Sequence, residues 1–368
     1  MEETVGAGRY LFLEPYFGGS HREFAEGLVE RSRHPIDLMS MSARFWRWRM
    51  GGAALHFVRR LPPLSSYDGL LMSSLMSLTD LKALAPEPLP PVLVYFHENQ
   101  LTYPHSKNGS RDVASAWTNI TTALAADRVV FNSHSHCDAF FEALPGLIRL
   151  MPDYRTGWVI DEIRKRSTVL YPGCRFPEAG ETLSRQKPGE PPLIVWNHRW
   201  EHDKDPDAFF RAMDRLAAQG LDFRLALMGE RFQRYPRVFR TARDRYGDRV
   251  VQYGFVEERK AYVDWLRRGT AVVSTAIQEN FGIAVVEAAR YGCLPILPRR
   301  LSYPELVPGA YHDLCLYDGP DDLVSKLAEV LADPAAQKVA REDISEAMGR
   351  FSWDRQIRAY DRILDEMV

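Results

Sequence analysis

The stretch that decides the fold is Leu193-Ile-Val-Trp-Asn-His-Arg-Trp-Glu-His-Asp-Lys-Asp-Pro206, which continues Asp-Ala-Phe-Phe. Its first four residues are apolar and predict a buried strand. Asp205 and Pro206 then predict the N-cap and the first position of a helix. The buried stripe of that helix is Phe209, Phe210, Met213 and Leu216. A strand, a polar loop and a helix in this order form the repeating unit of a doubly wound α/β sheet.

The same alternation extends from this stretch toward both ends of the chain. A run rich in proline, glycine and charge, 173–192, interrupts it and predicts a linker. We therefore expect two Rossmann-like, doubly wound α/β domains facing each other across a cleft that holds the ligands. They span 1–175 and 190–350, and a helix at about 351–368 packs back on the first. The predicted strands are 10–13, 70–73, 92–96, 128–132, 168–171, 193–196, 223–228, 250–253, 271–275 and 293–297.

Composition excludes several classes of protein. The chain has 368 residues and a formal net charge of −2, so any contact with nucleic acid requires a local basic patch. It has no run of about 18 apolar residues and no secretory signal, which argues against a membrane span or export. Its four cysteines are widely spaced, which predicts reduced thiols and a cytoplasmic location.

The most informative segment for function is Glu279-Asn-Phe-Gly-Ile-Ala-Val-Val-Glu287. The pattern predicts a loop followed by a helix over 281–291. Phe281, Gly282 and Ile283 would present backbone N–H groups at its N-terminus, where a diphosphate binds well. The two glutamates could accept hydrogen bonds from sugar and ribose hydroxyls. The alternative is a solvent-exposed loop with a capping glutamate.

A second segment, Asn197 to Asp205, supplies Arg199 and Lys204 before a helix. Two cations beside an anion site would neutralise a leaving diphosphate, although surface salt bridges are the alternative. His198 and His202 have the i, i+4 spacing of a zinc site. That spacing brings side chains together only on a helix, and the predicted helix starts after both, so no metal is expected.

Two segments of the N-terminal half also follow predicted strands. Phe17-Gly-Gly-Ser-His21 has two glycines that allow close backbone approach to a ligand, and Ser20 with Glu23 suggests a capping box. Phe96-His-Glu-Asn-Gln100 places polar residues where ligand contacts gather in such sheets. An ordinary glycine turn and a capped polar turn are the alternatives.

The stretch Arg44-Phe-Trp-Arg-Trp-Arg49 alternates cations and aromatic rings. It could stack on bases and hold phosphates, lie on a membrane surface, or be partly buried tryptophans covered by arginine stems. Arg59, Arg60 and the basic run 164–166 are further candidates for contacts with a nucleic acid backbone.

Taken together, these segments resemble the family-4 retaining glycosyltransferases of GT-B fold. There an arginine and a lysine five residues apart hold the donor diphosphate, and an E-x7-E element binds sugar and ribose. Arg199 with Lys204, and Glu279 with Glu287, match those elements. His198 and Asp205 stand where the family usually has glycine.

A closer resemblance covers nearly the whole chain. FGGSH, the Trp-x-Trp-Arg stretch, FHENQLTYP, VFNS, NHRWEHDKDP, the FG–E element, YPE at 303–305 and FSW at 351–353 are similar, in this order, to the tRNA-queuosine α-mannosyltransferase family. The resemblance implies a retaining glycosyltransferase that moves mannose from GDP-mannose to queuosine in a tRNA anticodon loop. It implies a nucleotide sugar and a queuosine-containing tRNA as partners, with no further cofactor.

Motif positions and resemblance together give three sets of predicted site residues. The catalytic residues are His97, Arg199, Lys204 and Glu279. The donor-binding residues are Gly18, Gly19, Asn197, Arg199, Lys204, Gly229, Glu230, Glu279, Asn280, Phe281, Gly282, Ile283 and Glu287. The acceptor-binding residues are Ser20, His21, Arg44, Trp46, Trp48, Arg49, Glu98, Asn99 and Asn132.

Other classes remain open from the sequence alone. A GT-B enzyme could use another nucleotide sugar on a lipid, polysaccharide or small-molecule acceptor. The fold also allows a sugar-nucleotide epimerase or an RNA-binding module without activity. The presence of Arg199, Lys204, Glu279 and Glu287 together favours a transferase.

Overall fold

The apolar runs of the N-terminal half form a six-stranded sheet in which every strand pair is parallel. The computed structural model describes residues 6–104, 112–176, 189–230 and 235–367. The strand order is β2-β1-β3-β4-β5-β6. The strands are β1 (Tyr10–Phe17), β2 (Ile36–Ser42), β3 (Gly69–Ser73), β4 (Val92–Phe96), β5 (Arg128–Phe131) and β6 (Ser167–Val169).

Helices cover both faces of this sheet, which explains why β3 and β4 are apolar at nearly every position and buried throughout. One face packs against α1, through Phe24 and Leu28. The other packs against α2 to α6. These helices are α1 (Gly19–Arg31), α2 (Trp46–Val58), α3 (Leu78–Leu84), α4 (Val113–Ala125), α5 (His134–Ile148) and α6 (Val159–Lys165).

The second sheet also has six strands, all paired in parallel, in the order β12-β11-β10-β7-β8-β9. Its strands are β7 (Leu193–Trp196), β8 (Arg224–Leu227), β9 (Val250–Tyr253), β10 (Ala271–Val273), β11 (Leu294–Pro298) and β12 (Leu316–Tyr317). Its helices are α7 (Pro206–Ala218), α8 (Arg237–Arg240), α9 (Ala242–Tyr246), α10 (Arg259–Arg268), α11 (Ile283–Arg290), α12 (Tyr303–Leu306), α13 (His312–Cys315), α14 (Pro320–Ala332) and α15 (Lys338–Met348).

The chain divides into two compact units, and the last helix belongs to the first of them. Unit 1 comprises Met1–Arg175 and Phe351–Val368, and unit 2 comprises Phe176–Arg350. Helix α16 (Trp353–Asp365) adds Trp353, Tyr360 and Leu364 to the core on the α1 face. The predicted linker falls largely on 177–188, which lies outside the described residues.

Each sheet has a point where the strand order reverses. In unit 1 the chain runs from β1 out to β2 and then continues from β3 on the other side of β1. In unit 2 it runs from β7 through β8 to β9 and resumes at β10 on the other side of β7. The loops that leave the strands at such a reversal diverge and open a crevice, where ligands of doubly wound sheets bind. The loops after β1, β7 and β10 are therefore the places to look for a site.

Two local predictions are wrong. Strand β1 continues to Phe17 through a register irregularity after Glu14, whereas the apolar pattern predicted an end at Leu13. Ser20 is not the N-cap of α1, because the helix begins at Gly19 and its N-cap, Gly18, has extended backbone without a side-chain cap.

The helix predicted over 281–291 is shorter in the structure, since α11 begins at Ile283 and ends at Arg290.

All four cysteines are free thiols. Within the described residues, no helix has the length and apolar character needed to cross a membrane.

Candidate active site

The loop after β7 is held against the loop after β10. The backbone N–H groups of Ile277 and Gln278 donate to the carbonyl of Asp203, over 2.7 and 3.2 Å. The hydroxyl of Thr275 donates to the carbonyls of Lys204 and Asp205, over 2.9 and 2.8 Å. These bonds fix Lys204, which ends the short 3-10 turn His202–Lys204, beside the loop that carries Glu279.

Asp205 explains how this loop turns into α7. Its backbone is left-handed, with φ at 44°, a region that favours glycine. A glycine at this position would take this conformation without cost. The carboxylate of Asp205 accepts from the N–H of Ala208 at 3.2 Å, so the predicted N-cap is confirmed and offsets part of the strain.

Lys204 and Glu279 form the centre of this site. The Lys204 ammonium lies 3.2 Å from Glu279 Oε2, 3.1 Å from Asp203 Oδ2 and 2.8 Å from the carbonyl of Gln278. The Lys204 side chain is only 8% exposed and that of Glu279 only 18%. Burial lowers the pKa of Lys204, but the Glu279 and Asp203 carboxylates outweigh it and the pKa is raised. Both Lys204 and Glu279 are therefore charged at neutral pH, since Lys204 also holds the pKa of Glu279 below its usual value against the effect of burial.

Helix α11 points its N-terminus into the same crevice. Its N-cap, Gly282, has φ at 102°, and a Cβ there would lie 3.3 Å from both Leu306 and Tyr303. Glycine is required by this backbone conformation, and no side chain caps the helix. Phe281 is buried, and its carbonyl accepts from the Ser302 hydroxyl at 2.7 Å. An uncapped helix N-terminus favours a bound anion, and the binding of a diphosphate here stays a prediction.

Glu287 is part of a hydrogen-bonded chain that the sequence did not predict. Arg259 contacts its Oε1 at 2.6 Å, and the Tyr262 hydroxyl donates to its Oε2 at 3.2 Å. Asn197 donates in turn to Tyr262 at 2.9 Å and to the carbonyl of Ala284 at 2.8 Å. The amide nitrogen of Asn197 therefore positions Tyr262 and α11. Its oxygen Oδ1 is buried without a hydrogen-bond partner among the described residues.

Arg199 and the 229–230 segment lie on the other flank of the loop. Arg199 is 47% exposed and pairs with Glu201 at 3.1 Å. A Cβ on Gly229 would lie 1.7 Å from the carbonyl of His198, so only glycine fits beside this loop. Glu230 is exposed, and its carbonyl accepts from the N–H of Trp200 at 2.9 Å. The structure thus brings Arg199, Lys204 and Glu279 to one crevice. The charge of Lys204 is compensated by its carboxylate partners, whereas Arg199 is accessible to solvent.

His198 does not form a metal site with His202. It is buried, and its Nε2 contacts the carbonyl of Val273 at 3.2 Å, whereas His202 is exposed. Burial, reinforced by Lys204, lowers the pKa of His198 to about 4. It is a neutral residue that anchors the loop to β10.

This burial predicts a stability change in acid. An unfolded histidine has a pKa of about 6.5, so between that pH and about 4 the unfolded chain binds a proton that the folded chain does not. As the pH is lowered through this window, the free energy of unfolding should decrease by up to about 1.4 kcal/mol per pH unit from His198 alone. Urea unfolding at pH 7, 6 and 5 measures the slope. His198→Asn should flatten it, His202→Asn should not, and equal slopes for the two variants would contradict the assignment.

In unit 1, a buried charge network joins β1, α1 and the loop after β4. His21 contacts Glu14 through Nδ1 and Glu98 through Nε2, both at 3.2 Å. Burial lowers the pKa of His21, but the two carboxylates outweigh it and raise the pKa to about 10. His21 is therefore an imidazolium that links α1 to β1 and to the loop after β4. Its predicted role in direct acceptor binding does not follow from this geometry, because both ring nitrogens are engaged.

His97 stacks on His21 with ring centroids 3.9 Å apart. Burial, and then the charge of His21, keep the pKa of His97 well below its ordinary value, so it is neutral. Glu14, His21 and His97 each offer one potential metal-ligand atom within 4.8 Å of the others. A doubly hydrogen-bonded imidazolium has no lone pair to give a metal, which argues against coordination by His21.

Asn99 and Asn132 shape the loops around His97. Asn99 Oδ1 accepts from the N–H groups of Leu101 and Thr102 at 2.9 and 3.0 Å. Asn132 donates to the carbonyl of His97 at 2.9 Å and contacts His136 Nδ1 at 2.7 Å. These oxygens are engaged within the loops, which leaves the Asn99 amide nitrogen, buried without a partner among the described residues, as the group able to contact a ligand.

The glycine loop after β1 is closely packed on one side only. A Cβ on Gly18 would lie 2.4 Å from that of Ala43, whereas Gly19, with φ at 51°, has open space around it. Ser20 is exposed at the start of α1. The loop thus presents exposed backbone next to the end of β2, as close approach of a ligand requires.

The basic residues of unit 1 do not form one surface. Arg44, Trp46, Trp48 and Arg49 lie at the start of α2, near the carboxyl end of β2. Arg59 and Arg60 follow the end of the same helix, about 20 Å away at 1.5 Å per residue. The run 164–166 precedes the amino end of β6, where Arg166 donates to the carbonyls of Leu124 and Ala126. Arg44–Arg49, Arg59 with Arg60, and the run 164–166 are therefore separate candidates for contacts with a nucleic acid backbone.

The sequence missed Glu14, Arg259, Tyr262 and Tyr303. Glu14 is fully buried and directly follows the predicted end of β1, and a charge inside the run YLFLEPYF was the available signal. Tyr303 bonds to Ser274 at 2.6 Å behind Gly282. Nothing in the local patterns around Arg259 and Tyr262 distinguishes them from surface helix residues.

Known proteins match the chain along almost all its length. Residues 9–174 match the N-terminal domain family of tRNA-queuosine alpha-mannosyltransferase, and residues 182–347 match glycosyl transferases group 1. The tRNA-queuosine alpha-mannosyltransferase of Drosophila melanogaster is 34% identical over 354 residues, which cover 94% of this chain and 92% of the relative. A D-inositol 3-phosphate glycosyltransferase of Streptomyces bingchenggensis is 23% identical over 262 residues, covering 64% of this chain and 52% of that protein.

Solved structures share the fold at low identity. Sucrose-phosphate synthase from Thermosynechococcus elongatus has a TM-score of 0.73 at 15% identity, covering 98% of this chain and 99% of that one. Anabaena HepE in complex with UDP and glucose has a TM-score of 0.66 at 15% identity, covering 98% and 100%.

Two doubly wound units and these matches define a glycosyltransferase of GT-B fold. Within that class, the chain belongs to the tRNA-queuosine alpha-mannosyltransferase family.

Proposed function

We propose that this chain transfers a mannosyl group from GDP-mannose to queuosine in a tRNA anticodon loop, with retention of the anomeric configuration. The observation that carries the proposal is the Lys204–Glu279 pair at the N-terminus of α11, in a chain similar over 94% of its length to a tRNA-queuosine alpha-mannosyltransferase. In this proposal unit 2 binds the donor and unit 1 the acceptor. The similarity to a tRNA-queuosine alpha-mannosyltransferase supports mannose and queuosine, and we add the guanine base of the donor to this proposal.

The donor diphosphate would lie at the crevice of unit 2. Gly282 allows close approach, the N-terminus of α11 favours an anion, and Arg199 is accessible to a phosphate oxygen. Glu279, ionised at neutral pH, would accept hydrogen bonds from sugar hydroxyls. Among the solved structures of the same fold, HepE holds UDP and glucose, which supports a nucleotide sugar as the donor class.

The mechanism we propose is a front-face displacement. The bond between the anomeric carbon and the diphosphate oxygen breaks, and the acceptor hydroxyl oxygen bonds to that carbon on the same face. The hydroxyl proton passes to the leaving diphosphate, so no protein carboxylate has to act as nucleophile. Lys204, Arg199 and the dipole of α11 would stabilise the negative charge that grows on the diphosphate. Neutral His97 would contact the transferred sugar.

We expect transfer to need no divalent metal, because Arg199, Lys204 and the helix N-terminus supply the positive charge. Enzyme treated with EDTA and assayed in metal-free buffer should keep its rate within about twofold. A loss of activity that Mg²⁺ or Mn²⁺ restores would contradict this expectation.

Glu287 should contribute to nucleotide affinity. Glu287→Ala removes the carboxylate proposed to hold the ribose and leaves Arg259 without its 2.6 Å partner. The Kd for free GDP should rise by about 10-fold, the effect of losing a charged hydrogen bond of about 1.5 kcal/mol. Calorimetric titration measures it. Glu342→Ala, an exposed helix glutamate, is the matched control, and an unchanged GDP affinity in Glu287→Ala removes this residue from the site.

The proposal as a whole is tested by transfer of labelled sugar into tRNA. The purified chain is incubated with GDP-mannose, UDP-glucose or UDP-galactose and with tRNA that contains or lacks queuosine. Label should enter only queuosine-containing tRNA and only from GDP-mannose. Preference for a UDP-sugar would overturn the donor, and equal labelling of both tRNA pools would overturn the acceptor.

A further inference from the structure

One face of helix α2 is unusually open. Trp48 is 77% exposed, Leu55 58%, and Phe45, the residue before the helix, 73%. They follow one another at spacings of three and seven residues and thus lie on one side of α2. The opposite side, with Met50, Ala53, Ala54 and Phe57, is buried in unit 1. The fold therefore accounts for the buried face and leaves the aromatic one uncovered.

The open face contains features that packing within unit 1 does not require. Gly51 and Gly52 lie inside the helix, and a Cβ on either would meet nothing within 4 Å. Alanine would fit at both positions and favour the helix. Phe45 holds a left-handed backbone, φ 54°, with its ring in solvent. The two glycines leave a strip of bare helix backbone between the exposed ring of Trp48 and the exposed aliphatic side chain of Leu55.

The charge around this face is mainly positive. The sequence has no aspartate or glutamate between Asp37 and Asp68, a stretch with five arginines. Arg44 and Arg47 are exposed beside Phe45 and Trp48. Only Arg47 has an acidic neighbour in the described residues, Asp112, at 3.9 Å. Exposed rings flanked by arginines match the faces and phosphates of unpaired nucleotides.

We propose that this face of α2 is a platform for unpaired nucleotides of the RNA acceptor, next to the proposed site in unit 1. Phe45 and Trp48 stack on bases, Arg44 and Arg47 contact phosphates, and the Gly51–Gly52 strip admits the ribose-phosphate backbone. Trp46 and Arg49 are not part of it, since Trp46 is half-buried and Arg49 donates to the carbonyl of Ser42 at 3.1 Å. This inference rests on the proposed function, because tRNA is the acceptor that the family indicates.

The test measures tRNA binding without donor, so that it stays separate from catalysis. Filter binding with queuosine-containing tRNA and with its anticodon stem-loop gives the Kd of the full chain. Trp48→Ala should raise both Kd values by about 5- to 100-fold, the effect of losing one base stack. Trp158→Ala, which removes a tryptophan that is 58% exposed elsewhere on unit 1, is the matched control and should change neither.

Two further variants separate stacking from charge and from folding. Arg44→Ala combined with Arg47→Ala should lower the salt dependence of binding by about 1.4 decades per decade of salt, as for two single-strand phosphate contacts. Gly51→Ala should raise the urea midpoint, since alanine favours the helix, yet weaken tRNA binding by filling the strip. A stabilised Gly51→Ala variant with unchanged Kd would count against the platform.

Two results overturn the proposal outright. One is a Trp48→Ala Kd within twofold of the wild type. The other comes from flotation with phosphatidylcholine–phosphatidylglycerol vesicles. If the wild type floats with them and Trp48→Ala does not, while tRNA binding is unchanged, this face is a membrane surface. Failure of the proposed function gives a different result from failure of the platform. In that case Trp48→Ala would still weaken tRNA binding, but the wild type would transfer no sugar to the tRNA.

Discussion

Replacing Lys204 with alanine should lower kcat by about 10²- to 10³-fold with a much smaller change in KM for the donor. The ammonium is buried, lies 3.2 Å from Glu279 and faces the crevice where the diphosphate is proposed to leave. Loss of one preorganised charge or donor at a developing anion typically costs this much. The effect falls on kcat because the negative charge grows in the transition state. Initial-rate kinetics over a range of donor concentrations separates the two constants.

Lys204 also neutralises two carboxylates, so the variant needs structural controls. Alanine leaves Asp203 and Glu279 without their cation, and breaking such a buried pair destabilises by about 3–5 kcal/mol. Lys204→Arg keeps the charge and should fold, retaining more activity than alanine. Lys338→Ala removes an exposed lysine of unit 2 and should leave both constants unchanged. Activity in a folded Lys204→Ala variant within tenfold of the wild type would rule out this role.

The largest effect on stability is expected from Trp353→Ala, at about 3–5 kcal/mol in the free energy of unfolding. Trp353 is 3% exposed, and its indole lies between Gly27 of α1 and Gly173. A Cβ on either glycine would approach the ring to 2.1 Å, so the ring fills a slot that only glycine leaves open. Alanine would leave a cavity where α16 meets the rest of unit 1. Urea unfolding followed by far-UV circular dichroism measures the loss.

Trp48→Ala is the matched control for that measurement, because Trp48 is 77% exposed and its removal opens no cavity. Its free energy of unfolding should stay within about 0.5 kcal/mol of the wild type. If Trp353→Ala were no less stable than Trp48→Ala, the C-terminal helix would not be part of the core of unit 1.

The elements that could be predicted from sequence are those whose signal is local. The apolar runs of β4 and β7 were predicted at their observed bounds, because a strand buried on both faces is a continuous apolar run. The cap of α7 was predicted because Asp205 and Pro206 act on adjacent backbone groups. Lys204 and Glu279 were predicted as site residues from motifs, and the structure places them 3.2 Å apart across 75 residues of chain.

What could not be predicted depends on long-range contacts. In the sequence, Glu14 directly follows the predicted end of β1. Its contact with His21 forms only in the fold, so the pattern could not predict it. Asn132 was expected to bind the acceptor, yet its amide nitrogen donates to the His97 carbonyl, 35 residues away in sequence. The run 164–166 was basic in sequence, but the course of the chain places it before the amino end of β6, away from the crevice.

The central claim is that mannose is joined to queuosine in tRNA, and the nucleosides of the product test it most directly. Queuosine-containing tRNA is incubated with the purified chain and GDP-mannose, digested, and analysed by liquid chromatography and mass spectrometry. We expect queuosine to gain the mass of one hexose, α-mannosidase to remove that hexose, and Lys204→Ala to form little of the product. Unmodified queuosine after incubation with an enzyme that binds GDP, or a hexose resistant to α-mannosidase, would contradict it.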